Sequence, residues 1–140
     1  MLILNPASVK IAGVEYTNVE SCAVDRTAHK EVVEWSDNGS FAVFADVPEQ
    51  KVEIKLTQRL ESNAADQQLD LLRPGQSVSV EVGVAPNASQ ARRRKLTAAC
   101  VVRAVRNLVS VGKDPQARRV IELIAISSDG STDPVGQIDW

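Results

Sequence analysis

The sequence predicts a mostly β protein, a β-sandwich or partial barrel of about seven to eight strands with one short flanking helix near residues 63–72. Three segments carry this prediction, because their apolar residues alternate with polar ones, which is typical of a half-buried strand. They read "KVEIKL" over 51–56, "SVSVEVGV" over 77–84 and "VIELIAI" over 120–126. The last has apolar residues on both sides of the alternation, so we expect both of its faces to be covered.

The first fifty residues predict a meander of short strands. The runs "KIAGVEY", "NVESCAVDR", "KEVVEW" and "SFAVFADV" are rich in β-branched or aromatic residues and are separated by turn-forming or strand-ending residues. The separators are Gly13, Thr27 with Ala28, the "SDNG" turn and Pro48. Later, the apolar run 96–109 is ambiguous in period, but its valines and threonine favour a strand.

One segment predicts a helix and two predict exposed connections. In "ESNAADQQLDLLRPG", over 61–75, a serine or asparagine can cap a helix that the Pro-Gly pair ends. The polar segment 85–95 is an exposed loop that ends in a basic run, and 128–140 is typical of an extended C-terminal arm. The chain of 140 residues shows no linker or repeat, so we expect one domain over 1–140.

Composition indicates an ordinary soluble globular protein. Hydrophobic residues make up 44% and charged residues 24%, the mean hydropathy is −0.12 and the formal net charge is −2. The opening "MLILNPASVK" lacks the basic start and long apolar core of a secretion signal. No run approaches the roughly 20 apolar residues that a membrane-spanning helix needs. We therefore expect a protein that is made and kept in a cytoplasm.

No residue pattern points to catalysis, so we expect no enzyme, no catalytic residue, no cofactor and no metal. Two cysteines, Cys22 and Cys100, and one histidine, His29, are too few for the usual zinc arrangements. The sequence has no Gly-rich phosphate loop and no nucleophile elbow. A cysteine brought beside His29 by folding stays open as a nucleophile, although a thiol in an apolar strand such as "AACVV" is typically a small buried hydrophobe.

The spacing of Cys22, Trp35 and Cys100 raises the alternative of an immunoglobulin domain. That fold has a tyrosine two residues before its second cysteine, where this chain has Ala98, and its disulfide needs an oxidising compartment. The simpler interpretation of Trp35 is a strand residue that anchors the core.

Two stretches, "VKIAGVEYTNVESCAVDR" and "VVEWSDNGSFAVFADVPEQKVEIKLTQRL", carry a pattern of elements over roughly the first two thirds of the chain. A short strand contains a Gly-centred turn of the form I-x-G-x-x-Y, Ile11 to Tyr16 here, and strands over 19–26 and 30–35 follow. The alternating strand "VEIKL" and the helix near 64–72 come next. In this order the chain resembles the tail tube (major tail) proteins of tailed bacteriophages.

The resemblance implies a structural protein of the virion tail with a small β-sandwich and a flanking helix. Members of that family form hexameric rings that stack into a hollow tube, the conduit for DNA ejection. The implied partners are further copies of this chain and other phage tail proteins; DNA passes without specific binding, no membrane or cofactor is involved, and assembly takes place in the host bacterial cytoplasm. A tube-initiating or baseplate ring protein of the same fold is an alternative, and a monomeric β-sandwich binding module is an alternative from another class.

Given the resemblance, glutamates on the wet faces of alternating strands are candidates for the tube lumen. Negative charge there would repel phosphate and let DNA slide. The lumen-facing candidates are Glu31, Glu53 and Glu81. A plain solvated sheet face explains each of them equally well.

The run "QARRRK" over 90–95 allows several interpretations. Nucleic-acid binding would need further basic clusters and stacking aromatics, yet aromatic residues are 4% of the chain and its pI is about 5.4. A plain solvated loop is the second interpretation. The resemblance favours a third, in which the run contacts acidic residues of a neighbouring subunit or ring. The contact candidates are Arg92, Arg93, Arg94 and Lys95, and their candidate partners are Asp66, Asp70, Asp129 and Asp133.

Overall fold

In the part of the chain that the structure describes, nine strands form one antiparallel sheet, which confirms the mostly β prediction and adds a strand to the predicted number. The computed structural model describes residues 1–60, 72–84, 94–110 and 116–139. The strands are β1 (Leu2–Leu4), β2 (Ser8–Ile11), β3 (Val14–Glu15), β4 (Val19–Trp35), β5 (Ala42–Leu60), β6 (Ser77–Val84), β7 (Arg94–Ser110), β8 (Gln116–Ala125) and β9 (Val135–Asp139).

The sheet curls around its apolar face without closing. Its strand order is β1-β4-β5-β8-β7-β6-β2-β3, and β9 pairs with β7. β1 and β2 are consecutive in the chain, yet β1 pairs with β4 and β2 with β6, and only residues 5–7 connect them. The Asn5 amide donates to the Glu20 carbonyl at 2.9 Å and the Ala7 amide to the Gly83 carbonyl at 2.8 Å. The two ends of the sheet therefore meet at this connection, which gives the predicted sandwich or partial barrel.

The buried face follows the alternation of the sequence. Every second residue is buried over 52–56 of β5, 78–82 of β6 and 121–125 of β8, and these side chains pack into one hydrophobic cluster. The cluster includes Val52, Ile54, Leu56, Val78, Val80, Val82, Ile121, Leu123, Ala125, Cys22 and Cys100. Burying one aliphatic side chain of this size stabilises a fold by about 1.5–3 kcal/mol. The expectation that both faces of 120–126 are covered is met only in part, because Val120 and Ile121 are both buried whereas Ile126 is 45% exposed.

The meander of short strands predicted for the first fifty residues is wrong from residue 19 onwards, because two long strands, β4 and β5, occupy this region. β4 continues through Thr27 and Ala28, and β5 continues through Pro48. The register passes from Lys30 opposite Glu49 to Val32 opposite Asp46, so Val47 and Pro48 form a bulge opposite a single residue. A proline, which has no amide hydrogen, is tolerated in such a bulge, and no strand among the described residues pairs with the other edge of β5 there.

The helix predicted near 63–72 lies outside the described residues except for Leu72. That residue is not helical, and it packs against the core.

The C-terminal segment 128–140, predicted as an extended arm, folds back onto the sheet. β8 leaves β7 where Ala125 pairs with Cys100, and β9 pairs with β7 from Arg94 to Ala98 along the same edge. Val135 at the start of β9 is buried. The prediction of an extended arm is wrong for this segment. β8 leaves part of one edge of β7 unpaired, and β9 supplies hydrogen-bond partners for the free backbone amide and carbonyl groups of that edge.

Candidate assembly interface

The distal halves of β4 and β5, residues 25–51, project from the rest of the sheet; we call this segment the projecting hairpin. The pairing of β1 with β4 ends at Ala23, and the pairing of β8 with β5 begins at Val52. Beyond these positions β4 and β5 pair only with each other. Among the described residues, both outer edges of the projecting hairpin therefore lack a partner strand.

Large apolar side chains are exposed at the tip of the projecting hairpin. Phe41 is 85% exposed and Trp35 62% exposed, and Val43 and Phe44 are exposed as well. Phe44 pairs with Glu34 and shares its face, so Trp35, the next residue of β4, lies on the opposite face of the hairpin. Apolar surface is therefore present on both faces.

Two expectations about Trp35 are corrected by this geometry. The residue does not anchor the core, and it lies far along the projecting hairpin from the buried Cys22 and Cys100. The tryptophan and cysteines therefore do not form the packed arrangement of an immunoglobulin domain. The sequence did contain a signal for this exposed segment that was missed. A strand with one buried face alternates apolar and polar residues, whereas here Val32 and Val33 are adjacent and aromatic residues follow the turn.

The basic run is only partly described. Arg92 and Arg93 lie outside the described residues, as does the predicted loop through 93. Arg94 and Lys95 belong to β7, where Lys95 pairs with Gly83 of β6 and Ile138 of β9. The loop prediction is wrong for these two residues, because strand partners on both sides extend β7 to Arg94.

Lys95 also has a contact within the chain. Its Nζ lies 2.8 Å from Oε2 of Glu81. The hydrogen bond from Lys95, and next its charge, hold the pKa of Glu81 below its usual value. Lys95 is therefore engaged by the fold, which leaves the three arginines as the run's remaining contact candidates.

The lumen-facing candidates do not form a common acidic face. Glu53 lies on the outer face of β5, where its Oε1 is 2.8 Å from Nζ of Lys51 and 3.0 Å from Nη1 of Arg103. The hydrogen bond from Lys51 is the main reason that the pKa of Glu53 is lowered. Glu81 lies on β6, with two strands between it and β5, and Glu31 lies on the projecting hairpin. Glu53 and Glu81 thus have cationic partners, which weakens the repulsion expected of a lumen.

The acidic partners predicted for the basic run are engaged elsewhere or lie outside the described residues. Asp129 accepts hydrogen bonds from the amides of Thr132 and Ser131 at 2.8 and 3.0 Å and from the hydroxyls of Thr132 and Ser127. These bonds, first those from Thr132, hold the pKa of Asp129 far below its usual value. Asp133 accepts from the Val135 amide and pairs with Arg26 at 2.9 Å. Asp66 and Asp70 are not among the described residues.

The two cysteines are buried in the core, whereas the histidine is exposed on the surface. Cys22 and Cys100 are buried free thiols in the core, and burial raises the pKa of each to about 11. The charge of Cys100, which belongs to the same core cluster, raises the pKa of Cys22 further. His29 is exposed on the projecting hairpin, 3.9 Å from Glu49. The structure therefore does not bring a cysteine beside the histidine.

Searches for known sites and relatives give the following results. In the part of the chain that the structure describes, no group of three or more His, Cys, Asp or Glu residues is placed to hold a metal ion. Over the same residues, no helix has the length and hydrophobicity to cross a membrane. Neither a scan of protein-family models nor a search of the curated proteins finds a match to this chain.

Proposed function

We propose that this chain is a tail tube protein of a tailed bacteriophage, a structural subunit that assembles into stacked hexameric rings through which DNA is ejected. The observation that carries the proposal is the projecting hairpin, with two open edges and apolar side chains on both faces. The phage origin and the ring number rest on the resemblance in the order of elements. DNA would pass through the tube without specific binding.

The edges of the projecting hairpin differ from the edges of the rest of the sheet. The sheet ends at β1 and β3, which have 3 and 2 residues, and short edge strands limit pairing with other chains. The hairpin edges, 25–35 of β4 and 42–51 of β5, are several times longer. An isolated two-stranded hairpin is only marginally stable in water. Pairing with neighbouring subunits would satisfy these edges and cover the tip.

Electron microscopy of the purified protein, with a truncated variant as comparison, tests the proposal. In the variant, Asn-Gly replaces residues 29–49 and joins Ala28 to Gln50, which pair directly in the register. Asn-Gly suits a two-residue turn between antiparallel strands. We expect rings or tubes for the wild type and a folded monomer for the variant, since every residue of the core cluster lies outside the excised segment.

The opposite results have distinct meanings. A wild type that stays strictly monomeric at high concentration would exclude the tube and favour the monomeric binding module. A truncated variant that still forms rings would show that the assembly does not use the projecting hairpin. The double variant Phe41→Ser, Phe44→Ser keeps both hairpin edges and so separates the contribution of the apolar tip from that of edge pairing.

A further inference from the structure

We propose that Asn38, in the loop at the tip of the projecting hairpin, is a site of spontaneous deamidation, a covalent modification that needs only water. The loop joins β4, which ends at Trp35, to β5, which begins at Ala42. It contains the dipeptide Asn38-Gly39. The inference goes beyond the proposed function and does not depend on it, because it concerns the chemistry of a single chain.

The reaction takes place between the side chain of Asn38 and the backbone of the next residue. The amide nitrogen of Gly39 attacks Cγ of Asn38, which forms a carbon–nitrogen bond and closes a succinimide ring. The carbon–nitrogen bond of the side-chain carboxamide breaks, and ammonia leaves with the proton that the Gly39 amide gives up. Water then adds to a ring carbonyl and opens the ring, to aspartate or to isoaspartate according to which carbonyl it attacks.

The conformation of the loop does not account for the Asn-Gly pair. In a two-residue hairpin turn this pair is preferred because both residues adopt positive φ angles. Here residues 36–41 separate the strands, and neither Asn38 nor Gly39 has a positive φ. A Cβ added at Gly39 would meet no atom within 4 Å. The fold therefore does not require a glycine at this position, whereas ring closure is helped by one, because a residue without a Cβ allows close approach to its backbone.

Both reacting groups are accessible to water and are not held by other contacts. Every residue of the loop 36–41 is exposed. Among the described residues, the Gly39 amide donates no hydrogen bond and the Asn38 side chain makes none. The Asn38 backbone amide donates to Oγ of Ser36 at 3.4 Å, a contact that involves neither reacting atom. No hydrogen bond therefore has to break before the attack.

The other asparagines that the structure describes lack this combination. Asn5 precedes a proline, whose nitrogen carries no hydrogen. Asn18 is exposed as well, but it precedes a valine at the start of β4, and a β-branched side chain restricts approach to the backbone nitrogen. Asn107 lies within β7, where its Oδ1 accepts a hydrogen bond from an arginine at 3.4 Å. We therefore expect Asn38 to react first.

The modification changes both the charge and the backbone of the tip. A carboxylate replaces the neutral carboxamide, which adds a negative charge beside Asp37. The surrounding segment 31–46 contains four acids and neither lysine nor arginine. In the isoaspartate product the chain runs through the former side chain of Asn38, so the backbone of the loop is longer by a methylene group. A chain that stays unassembled would therefore come to differ from a fresh one at the tip.

Peptide mapping by mass spectrometry measures the modification directly. The monomeric fraction is incubated at neutral and at mildly alkaline pH, below the range in which the buried thiols lose their protons, and is then digested. We expect the peptide that contains Asn38 to deamidate several-fold faster than those that contain Asn18 and Asn107. The rate should rise with pH, because the attacking nitrogen must lose its proton. A reaction at Asn38 that is no faster than at Asn18 would overturn the proposal.

Two variants identify the reacting groups. Gly39→Ala should slow the modification several-fold and leave thermal unfolding unchanged, because the added methyl group hinders the attack yet meets no atom of the fold. Asn38→Asp is one of the expected products, so it should elute from an anion-exchange column with the more acidic fraction of the aged wild type. Modification of Gly39→Ala at the wild-type rate would show that the Gly39 amide is not the attacking group and would reject the mechanism.

The outcomes separate this inference from the proposed function. Rapid deamidation of Asn38 in a chain that never forms rings or tubes supports the inference and excludes the tube. Tubes built from chains that keep Asn38 intact throughout the incubation as monomers support the tube and overturn the inference. If both proposals hold, Asn38 should deamidate more slowly in tubes than in monomers, because neighbouring subunits would cover the tip.

Discussion

At the scale of single residues, the turn between β2 and β3 shows what the sequence indicated and what it did not. The Gly-centred turn was expected at Gly13, whose φ is +79°, but Ala12 also has a positive φ, +54°. Two successive positive φ angles are typical of a type I′ turn, where asparagine and glycine are preferred. Ala12 therefore carries backbone strain that its residue type would not predict.

Replacing Ala12 by Asn should raise the free energy of unfolding by about 0.5–1 kcal/mol, because asparagine tolerates the left-handed conformation. Gly13→Ala, one residue on, is the matched variant. An added Cβ at Gly13 meets no atom within 4 Å, so only the φ strain acts, and stability should fall by about 1 kcal/mol. Urea denaturation measures both; a stabilising Gly13→Ala would contradict the turn geometry.

The two buried thiols should be unreactive and should make the fold sensitive to alkali. Burial raises the pKa of Cys22 and Cys100 from an ordinary value of 9.0 to about 11. A shift of this size lowers the thiolate fraction near pH 8 roughly a hundredfold, so a disulfide reagent should react slowly until denaturant is added. Fast labelling of the native protein would contradict the burial.

The same shift gives a pH dependence of stability with a definite sign. The unfolded thiols lose their protons near 9 while the folded thiols keep them to about 11. The stabilisation is complete below pH 9 and is lost as the pH rises through this window. The variant Cys22→Ala retains one thiol, so its melting temperature should fall less than that of the wild type as the pH rises through this window. An equal fall for both proteins would show that groups other than the thiols cause it.

At the scale of elements, alternation predicted β5 and β6 well because their two faces differ sharply in burial. Ile54 is fully buried and Lys55, the next residue, is exposed. The continuation of β4 and β5 past the predicted breaks was harder to predict. Ala28 and Pro48 are individually poor strand residues, but cross-strand hydrogen bonds and a bulge keep β4 and β5 paired past them.

Ile54→Ala should lower the free energy of unfolding by about 2–5 kcal/mol, because it removes a large side chain from a close-packed core. Lys55→Ala, the control, should change it by no more than about 0.5 kcal/mol, since an exposed side chain loses little packing. Chemical denaturation of the two variants measures the difference. Similar losses for both would show that β5 does not present alternate residues to the core.

At the scale of the whole molecule, we expect the three arginines of the basic run to contribute to assembly rather than to folding. Changing Arg92, Arg93 and Arg94 to Ser should leave the thermal midpoint unchanged and weaken assembly, most strongly at low salt where exposed charges are least screened. Light scattering at two salt concentrations measures this. Lys95→Ser, which removes the ion pair with Glu81, is the comparison and should lower stability slightly. Unchanged assembly with reduced DNA binding would reject the contact hypothesis for the run.

The sequence by itself determined the fold class and the buried residues of the alternating strands. Strict alternation in 51–56 and 77–84 marks which side chains are buried, because a strand exposes its two faces in turn. It also marked the two cysteines as small buried residues. These properties depend on neighbours along the chain, which a sequence displays directly.

Only the tertiary structure decided which strands pair and where they end. β9 lies on β7 because β8 leaves that edge open, and β4 and β5 run past Val24 and Val52 into the projecting hairpin because they can pair with each other alone. Trp35 is exposed for the same reason, since no third element covers it in the described chain. Strand pairing joins residues that are far apart in sequence, and the stability of each pair of strands depends on side-chain contacts between them that no local sequence pattern displays.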